Sequence, residues 1–242
     1  MDWSIFWGLT GAASGLAAVT RANRGGLPDG WTAHEFNGAA EPSRGRKYLL
    51  RLPENPAGPH PLIVFLHGAG ERGNDPRNVL NQGLPRAVKR FPGFPFMVLA
   101  PQCPPGMYWR LPFLEELMDH VLNDGRTDRH RVYLTGISMG GYAVWALAAR
   151  HPEWFAAIAP VCGGGNPRQA RRLKDLPIWA FHGRRDPIVP VTESEQMVDS
   201  VRAAGGIEVR FTVYPATGHD SWTRTYRNPD LYQWFLAHHR NG

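Results

Sequence analysis

Cysteine is scarce: Cys103 and Cys162 are the two in 242 residues. Two thiols build no disulfide framework, and without a Cys-x-x-Cys pair there is no sign of a structural zinc site. Both follow apolar runs, so buried or loop thiols are the default reading. A block of basic residues is missing too. The net charge of +6 comes from scattered Arg, and the longest clusters, Arg168–Lys174 and Arg184–Arg185, are interrupted by other residues. A solvated basic surface is therefore preferred over a nucleic-acid footprint. There is no internal repeat, and the 27 Gly and 22 Pro are spread along the chain, which removes low-complexity classes. What remains is 43% hydrophobic and 20% charged, ordinary for a soluble globular protein with a large core.

One long uncharged run is present, Trp3 to Thr20, near the length of a membrane span but diluted by Gly, Ser and Thr. A secretory signal wants positive charge before its apolar stretch; here Asp2 precedes it and Arg21 and Arg24 follow. Residues 1–30 are read as a leader or loosely docked N-terminal helix, with an atypical signal or membrane anchor as the alternative. Residues 31–242 are read as one α/β domain. The favoured compartment is the cytoplasm, with export or N-terminal anchoring as the alternative.

After a Gly/Pro linker near "GGLPDG", apolar runs alternate with helical patterns. The expected strands are Lys47–Leu52, Leu62–His67, Phe96–Pro101, Arg131–Gly136, Ala157–Cys162, Ile178–His182 and Ile207–Tyr214. Several, such as "LIVFLH" and "FMVLAP", are continuous apolar runs, the pattern of strands covered on both faces. Helices are expected at Phe113–Leu122, Met139–Arg150, Glu193–Ala203 and Asp230–His238. Alternation of this kind gives a mostly parallel sheet with helices on both faces, and in such sheets ligands bind beyond the carboxyl ends of the strands. Residues that do chemistry should therefore fall just after strands.

The stretch "GISMGG" does. Ser138 follows "RVYLTG" and precedes an Ala-rich helical segment, the setting Gly-x-Ser-x-Gly needs. Gly136 and Gly140 leave room for a cramped strand-to-helix turn, and the Met139 N–H stands at a helix start facing a developing oxyanion. A serine nucleophile needs a base and the base an orienting acid. His219, in "YPATGHDSW", lies on a loop directly after the last strand; His182, at the end of another strand, is its competitor. His34, His60, His120, His130, His151, His238 and His239 sit in surface-like or helical contexts. The acid is expected between Ser and His, and Asp186 in "FHGRRDPIVP" fits; Asp175 and Asp199 look like surface residues, and Asp220 adjoins His219 too closely to face it. "FLHGAGERG" offers a second oxyanion donor, the Ala69 N–H first and Gly70 second. There His67 reads as a loop organiser, while Glu71 and Arg72 read as substrate contacts or as an ion pair bracing the loop.

With these residues in view the chain resembles a known family. "PLIVFLHGAGERGND", "FPFMVLAPQCPPGMYWR", "RVYLTGISMGGYAVWALAARHPEWFAAIAPVCGGG", "LPIWAFHGRRDPIVPV" and "VYPATGHDSW" look like the α/β-hydrolase esterases near the dienelactone hydrolase and polyhydroxybutyrate depolymerase branches. The match spans residues 45 to 239. The resemblance implies an eight-stranded, mostly parallel sheet, a Ser138–Asp186–His219 triad, and hydrolysis of a small-molecule ester with neither metal nor organic cofactor. It also implies that Trp109 lines the acyl or alcohol pocket, with core packing as the alternative, and that Gly70 contacts substrate. Dienelactone hydrolases proper carry Cys where this chain has Ser138, which disfavours that substrate. Oligopeptidase relatives carry a propeller domain for which 242 residues leave no room, and the extra N-terminal sandwich domain of some esterases is absent as well. Short-chain or aryl esters are expected, acted on by a monomer or homodimer. The competing readings are a small serine peptidase or amidase and, in another class, a non-catalytic hydrolase-like binding domain. The short basic segment "GGGNPRQARRLKD" leaves no long apolar lid, which disfavours a true lipase.

Overall fold

The computed structural model describes residues 18–23, 26–28, 30–39, 46–55 and 57–240. Its frame is a sheet of nine strands: β1 (Ala18–Asn23), β2 (Trp31–Asn37), β3 (Arg46–Arg51), β4 (His60–Leu66), β5 (Met97–Pro101), β6 (Thr127–Ile137), β7 (Ala157–Val161), β8 (Ile178–Gly183) and β9 (Val209–Tyr214). Their order is β1-β2-β3-β5-β4-β6-β7-β8-β9. The pairs from β1 through β3 to β5 are antiparallel, and β5, β4, β6, β7, β8 and β9 run parallel. Strands β2 to β9 are the eight-stranded, mostly parallel sheet of the α/β-hydrolase fold, and β1 extends its antiparallel edge.

The expectation of a leader or helix over residues 1–30 is corrected where the segment is described: Ala18–Asn23 pairs with β2 as a strand. The uncharged run up to residue 17 lies outside the described residues. Among those, no helix is long and apolar enough to cross a membrane.

Among the described residues six α-helices cover the sheet: α1 (Gly83–Val88), α2 (Leu111–Leu122), α3 (Met139–Arg150), α4 (Thr192–Ala203), α5 (Trp222–Tyr226) and α6 (Pro229–Leu236). Alternation along β4 divides the core in two. Leu62, Val64 and Leu66 point toward α2, α3 and α4, where they meet Leu117, Val144, Trp145 and Val198. Ile63 and Phe65 point the other way, toward Leu84, Tyr226, Leu231 and Phe235 of α1, α5 and α6. Every residue of β4, β5 and β7 is buried. These strands face protein on both sides, so their sequences are unbroken apolar runs rather than alternating ones. His60, read from its context as solvated, is buried at the start of β4.

Strand order reverses between the neighbours β4 and β6, since the chain leaves β4 toward β5 on one side and leaves β6 toward β7 on the other. The loops after β4 and β6 therefore open into a crevice at the carboxyl end of the sheet, the usual ligand position for this architecture.

Candidate active site

The turn between β6 and α3 carries Ser138 with φ 52° and ψ −116°, a left-handed conformation that a residue with a Cβ rarely adopts. Its N–H donates to the Val161 carbonyl at 3.0 Å, which fixes the turn to β7. The flanking glycines are required by contact with backbone. A Cβ on Gly136 would lie 2.7 Å from the carbonyl oxygens of Gly140 and Leu66, and one on Gly140 would land on the Leu66 carbonyl. Strain of this kind costs about 1–3 kcal/mol and persists where the surroundings enforce it. Here it presents the Ser138 hydroxyl, half-buried, at the crevice.

Two loops bring partners to that hydroxyl. His219, in the loop after β9, places Nε2 3.0 Å from Ser138 Oγ and Nδ1 2.7 Å from Asp186 Oδ2. Asp186 sits in the loop after β8, its side chain wholly removed from solvent. The N–H groups of Ile188 and Val189 both donate to its Oδ1 at 2.9 Å. Burial by itself raises a carboxyl group's pKa, but the His219 hydrogen bond and these two amides outweigh it and hold Asp186 below the usual carboxylate range. An ionised Asp186 takes the His219 Nδ1 proton as a hydrogen bond. Nε2 is then the acceptor facing the serine hydroxyl.

The other candidate acids are occupied elsewhere. Asp220 takes the backbone N–H of Thr223 at 3.0 Å and its hydroxyl at 2.9 Å, anchoring the start of α5. Asp175 pairs with Lys174 and Asp199 with Arg202, all of them largely exposed. The competing histidine, His182, is fully buried on β8 behind Asp186, with its ring nitrogens on the Ser194 hydroxyl and the Val189 carbonyl instead of the Ser138 hydroxyl.

On the other side of the crevice the loop after β4 forms a short 3-10 turn, Ala69–Glu71, with Ala69 and Gly70 exposed. Ala69 and Met139 are each the first residue of a helical turn, so neither N–H has an intrahelical acceptor. His67 organises this loop. It receives the Cys103 N–H on Nε2 at 2.9 Å and donates Nδ1–H to the Gly68 carbonyl at 2.6 Å, which defines a neutral ring. Burial pushes its pKa down to about 4. Glu71 and Arg72 brace the loop separately through backbone groups. Glu71 accepts the Gly68 N–H at 3.1 Å, while Arg72 donates to the carbonyls of Ala69 at 2.9 Å and Met107 at 3.3 Å.

Trp109 requires a correction. Its indole is 4% exposed within the core, donates Nε1–H to the His67 carbonyl at 3.0 Å and meets the His67 ring edge-on. It supports the loop from behind instead of offering a face to the crevice.

Two neighbours of the site were not legible in the sequence. Trp222 sets its ring perpendicular to His219, centroids 5.2 Å apart. Cys162, just past β7, has φ 42° and brings its sulfur within 4.8 Å of ligand atoms of Asp186 and His219. Sulfur, carboxylate and imidazole could together hold a soft cation. In this structure, however, the last two are bonded to each other and burial pushes the Cys162 thiol up to about 12, so it stays protonated. Unlike Ser138, which Gly136 and Gly140 bracket, Cys162 has glycines on one side only, and no bracketing pattern announces its left-handed φ.

Comparison with known proteins follows the same lines. The chain is 27% identical over 202 residues to feruloyl esterase C of Emericella nidulans, covering 75% of this chain and 70% of that protein. Over 170 residues it is 27% identical to a bifunctional acetylxylan esterase/xylanase of Neocallimastix patriciarum, covering 67% of this chain and 24% of the other. The crystal structure of a thermostable esterase superposes with a TM-score of 0.76 at 36% identity, covering 88% of this chain and 64% of that one. An S-formylglutathione hydrolase from Agrobacterium tumefaciens shares the fold alone, with a TM-score of 0.67 at 14% identity over 90% of this chain and 98% of that one. The chain thus spans less than two thirds of the length of some of these relatives, 24% of the acetylxylan esterase/xylanase and 64% of the thermostable esterase. The pattern of the dienelactone hydrolase family matches residues 110–233, half of the chain, and includes Ser138, Asp186 and His219. The chain belongs to the dienelactone hydrolase family of α/β-hydrolases, whose chemistry is the hydrolysis of carboxylic esters.

Proposed function

We propose that this protein is a serine carboxylesterase in which Ser138, His219 and Asp186 act as a catalytic triad on short-chain or aryl esters. The observation that carries the reading is the continuous hydrogen-bonded line from Ser138 Oγ to His219 Nε2 at 3.0 Å and from His219 Nδ1 to Asp186 Oδ2 at 2.7 Å. Ser138 Oγ bonds to the ester carbonyl carbon as its proton passes to His219 Nε2, and the carbonyl electron pair moves onto oxygen. That oxyanion is held by the N–H groups of Met139 and Ala69, each donor contributing about 3 kcal/mol to the barrier reduction. The imidazolium, steadied by Asp186, returns the proton to the alkoxy oxygen as the carbon–oxygen bond breaks and the alcohol leaves. Water, deprotonated by His219, then cleaves the acyl-enzyme and frees the carboxylic acid. None of these steps draws on a metal or an organic cofactor.

Aryl esters are included because aromatic groups border the site. Trp222 stands against His219, and Tyr108 is half-exposed beside the Arg72 guanidinium that grips the Ala69 loop. Relatives named as feruloyl esterases support the same choice. Ser138→Ala is expected to abolish hydrolysis of p-nitrophenyl and cinnamoyl-type esters and labelling by a fluorophosphonate while leaving the thermal transition in place. Hydrolysis that survives the substitution overturns the assignment. An ester run beside its matching anilide separates esterase from amidase by the ratio of kcat/KM.

A further inference from the structure

His182 has no part in the steps above, yet it is among the most completely bonded side chains in the molecule. It is fully buried near the end of β8. Its Nε2 lies 2.9 Å from the Val189 carbonyl, which can only accept, so Nε2 carries a proton. The same N–H reaches Asp186 Oδ2 at 3.3 Å, the oxygen that His219 uses. On the far side of the ring, Nδ1 is 2.8 Å from the Ser194 hydroxyl in the first turn of α4. That hydroxyl donates to the Gly163 carbonyl at 2.8 Å, and its single proton can serve either that carbonyl or Nδ1 at any one time. Gly163 in turn presses on the nucleophile helix, since a Cβ there would sit 2.6 Å from Gly141 C and Tyr142 N in the first turn of α3. The contacts therefore form a closed path: Ser138, His219, Asp186, His182, Ser194, Gly163, and back to the helix that Ser138 begins.

We infer that His182 is a positioning residue for the Ser138 chemistry, fixing Asp186 and, through Ser194 and Gly163, tying the acid loop to the nucleophile helix. The inference rests on the triad reading. Geometry gives it three duties. It keeps the Val189 carbonyl satisfied, so the 186–189 turn that delivers two amides to Asp186 Oδ1 keeps its shape. It sets the Nε2 side of its ring 3.3 Å from Oδ2, a polar contact that favours the carboxylate orientation facing His219. It also anchors the start of α4 against the acid loop through Ser194. A polar group buried at such a junction has to be satisfied, and here every partner belongs to the site or to its supporting loops.

The test uses the full chain and measures steady-state hydrolysis of p-nitrophenyl acetate, fluorophosphonate titration of competent sites, and Tm. His182→Leu is expected to lower kcat per titrated site by about 100-fold with KM changed less than about twofold, because misplacing the acid affects the transition state more than ground-state binding. His182→Gln, which restores a donor near Nε2, is expected to recover at least about tenfold of that loss. Ser194→Ala should lower kcat in the same direction with Tm unchanged. An unchanged kcat in His182→Leu, or a loss that follows Tm and is not rescued by Gln, overturns the inference. If His182→Leu does not fold, Ser194→Ala decides: a reduced kcat at unchanged Tm upholds the inference, and an unchanged kcat overturns it. Hydrolysis that persists in Ser138→Ala removes the triad reading and this inference with it, whereas Ser138-dependent hydrolysis indifferent to His182 removes the inference alone.

Discussion

At the scale of single residues, environment separates three histidines of one chain. His219 is half-buried between a hydroxyl and a carboxylate, His182 is enclosed among backbone and side-chain partners, and His67 is a neutral wedge under a loop. His67 carries a pH signature. Its pKa is about 4 in the folded protein against 6.5 in the unfolded chain, so between those values the unfolded state binds the extra proton. Stability is therefore lost as pH falls from about 6.5 to 4, by about 3 kcal/mol from this group. Calorimetry across that window should give a steep decline in Tm for the wild type and a shallower one for His67→Gln. For Asp186 the sign is the same and the window lies lower. Its folded pKa lies below the ordinary 3.8, so its stabilising contribution is present above that value and disappears as pH falls through the depressed one. Asp186→Asn should accordingly be less stable than wild type at pH 7, with the gap closing near pH 2 in urea titrations. At pH 7 the same variant should lose about 10⁴-fold in kcat, because the amide no longer selects the tautomer that leaves Nε2 free.

At the scale of elements, the strand-to-helix turns do the positioning, and they explain what a sequence can disclose. Ser138, Asp186 and His219 were legible because each follows an apolar run, and because Gly136 and Gly140 mark a turn no other residue fits. The helix Met139–Arg150 matches its expected bounds, since Ala-rich sequence and a preceding glycine turn agree on them. Strand β2 was missed because "WTAHEFN" mixes apolar and polar residues one strand in from the antiparallel edge, where burial is partial. Helix α1, "GLPRAV", opens on Gly and carries Pro, and α5, "WTRTY", is five residues rich in β-branched and aromatic side chains; tertiary packing overrides propensity in both. Trp109 was left between pocket wall and core because indoles in the two settings read alike in one dimension, and its burial favours the core. Gly140→Ala should test the elbow directly. With β4 backbone occupying the only space for a methyl group, the variant is expected to lose fluorophosphonate labelling and several degrees of Tm, whereas Gly70→Ala, which meets nothing within 4 Å, should keep the wild-type Tm.

At the scale of the whole molecule, labour is divided across the sheet. The antiparallel strands β1 to β3 contribute none of the residues assigned to chemistry, which come from the ends of β4, β6, β8 and β9. Removing residues 1–23, and β1 with them, should leave kcat on short esters within about twofold of wild type, a change smaller than a displaced triad member would cause. Loss of activity with the remaining fold intact would assign that edge a share in the site. Neighbouring strands β8 and β9 pair in parallel from Ile178 with Val209 to Gly183 with Tyr214, and the acid and the base ride on the two loops that follow them. Those two groups can therefore travel together, as cargo on one raft. A shift of the two loops as a unit would leave the 2.7 Å bond inside the pair undisturbed and would be felt at the 3.0 Å reach to Ser138, so turnover would fall before the acid and base separate.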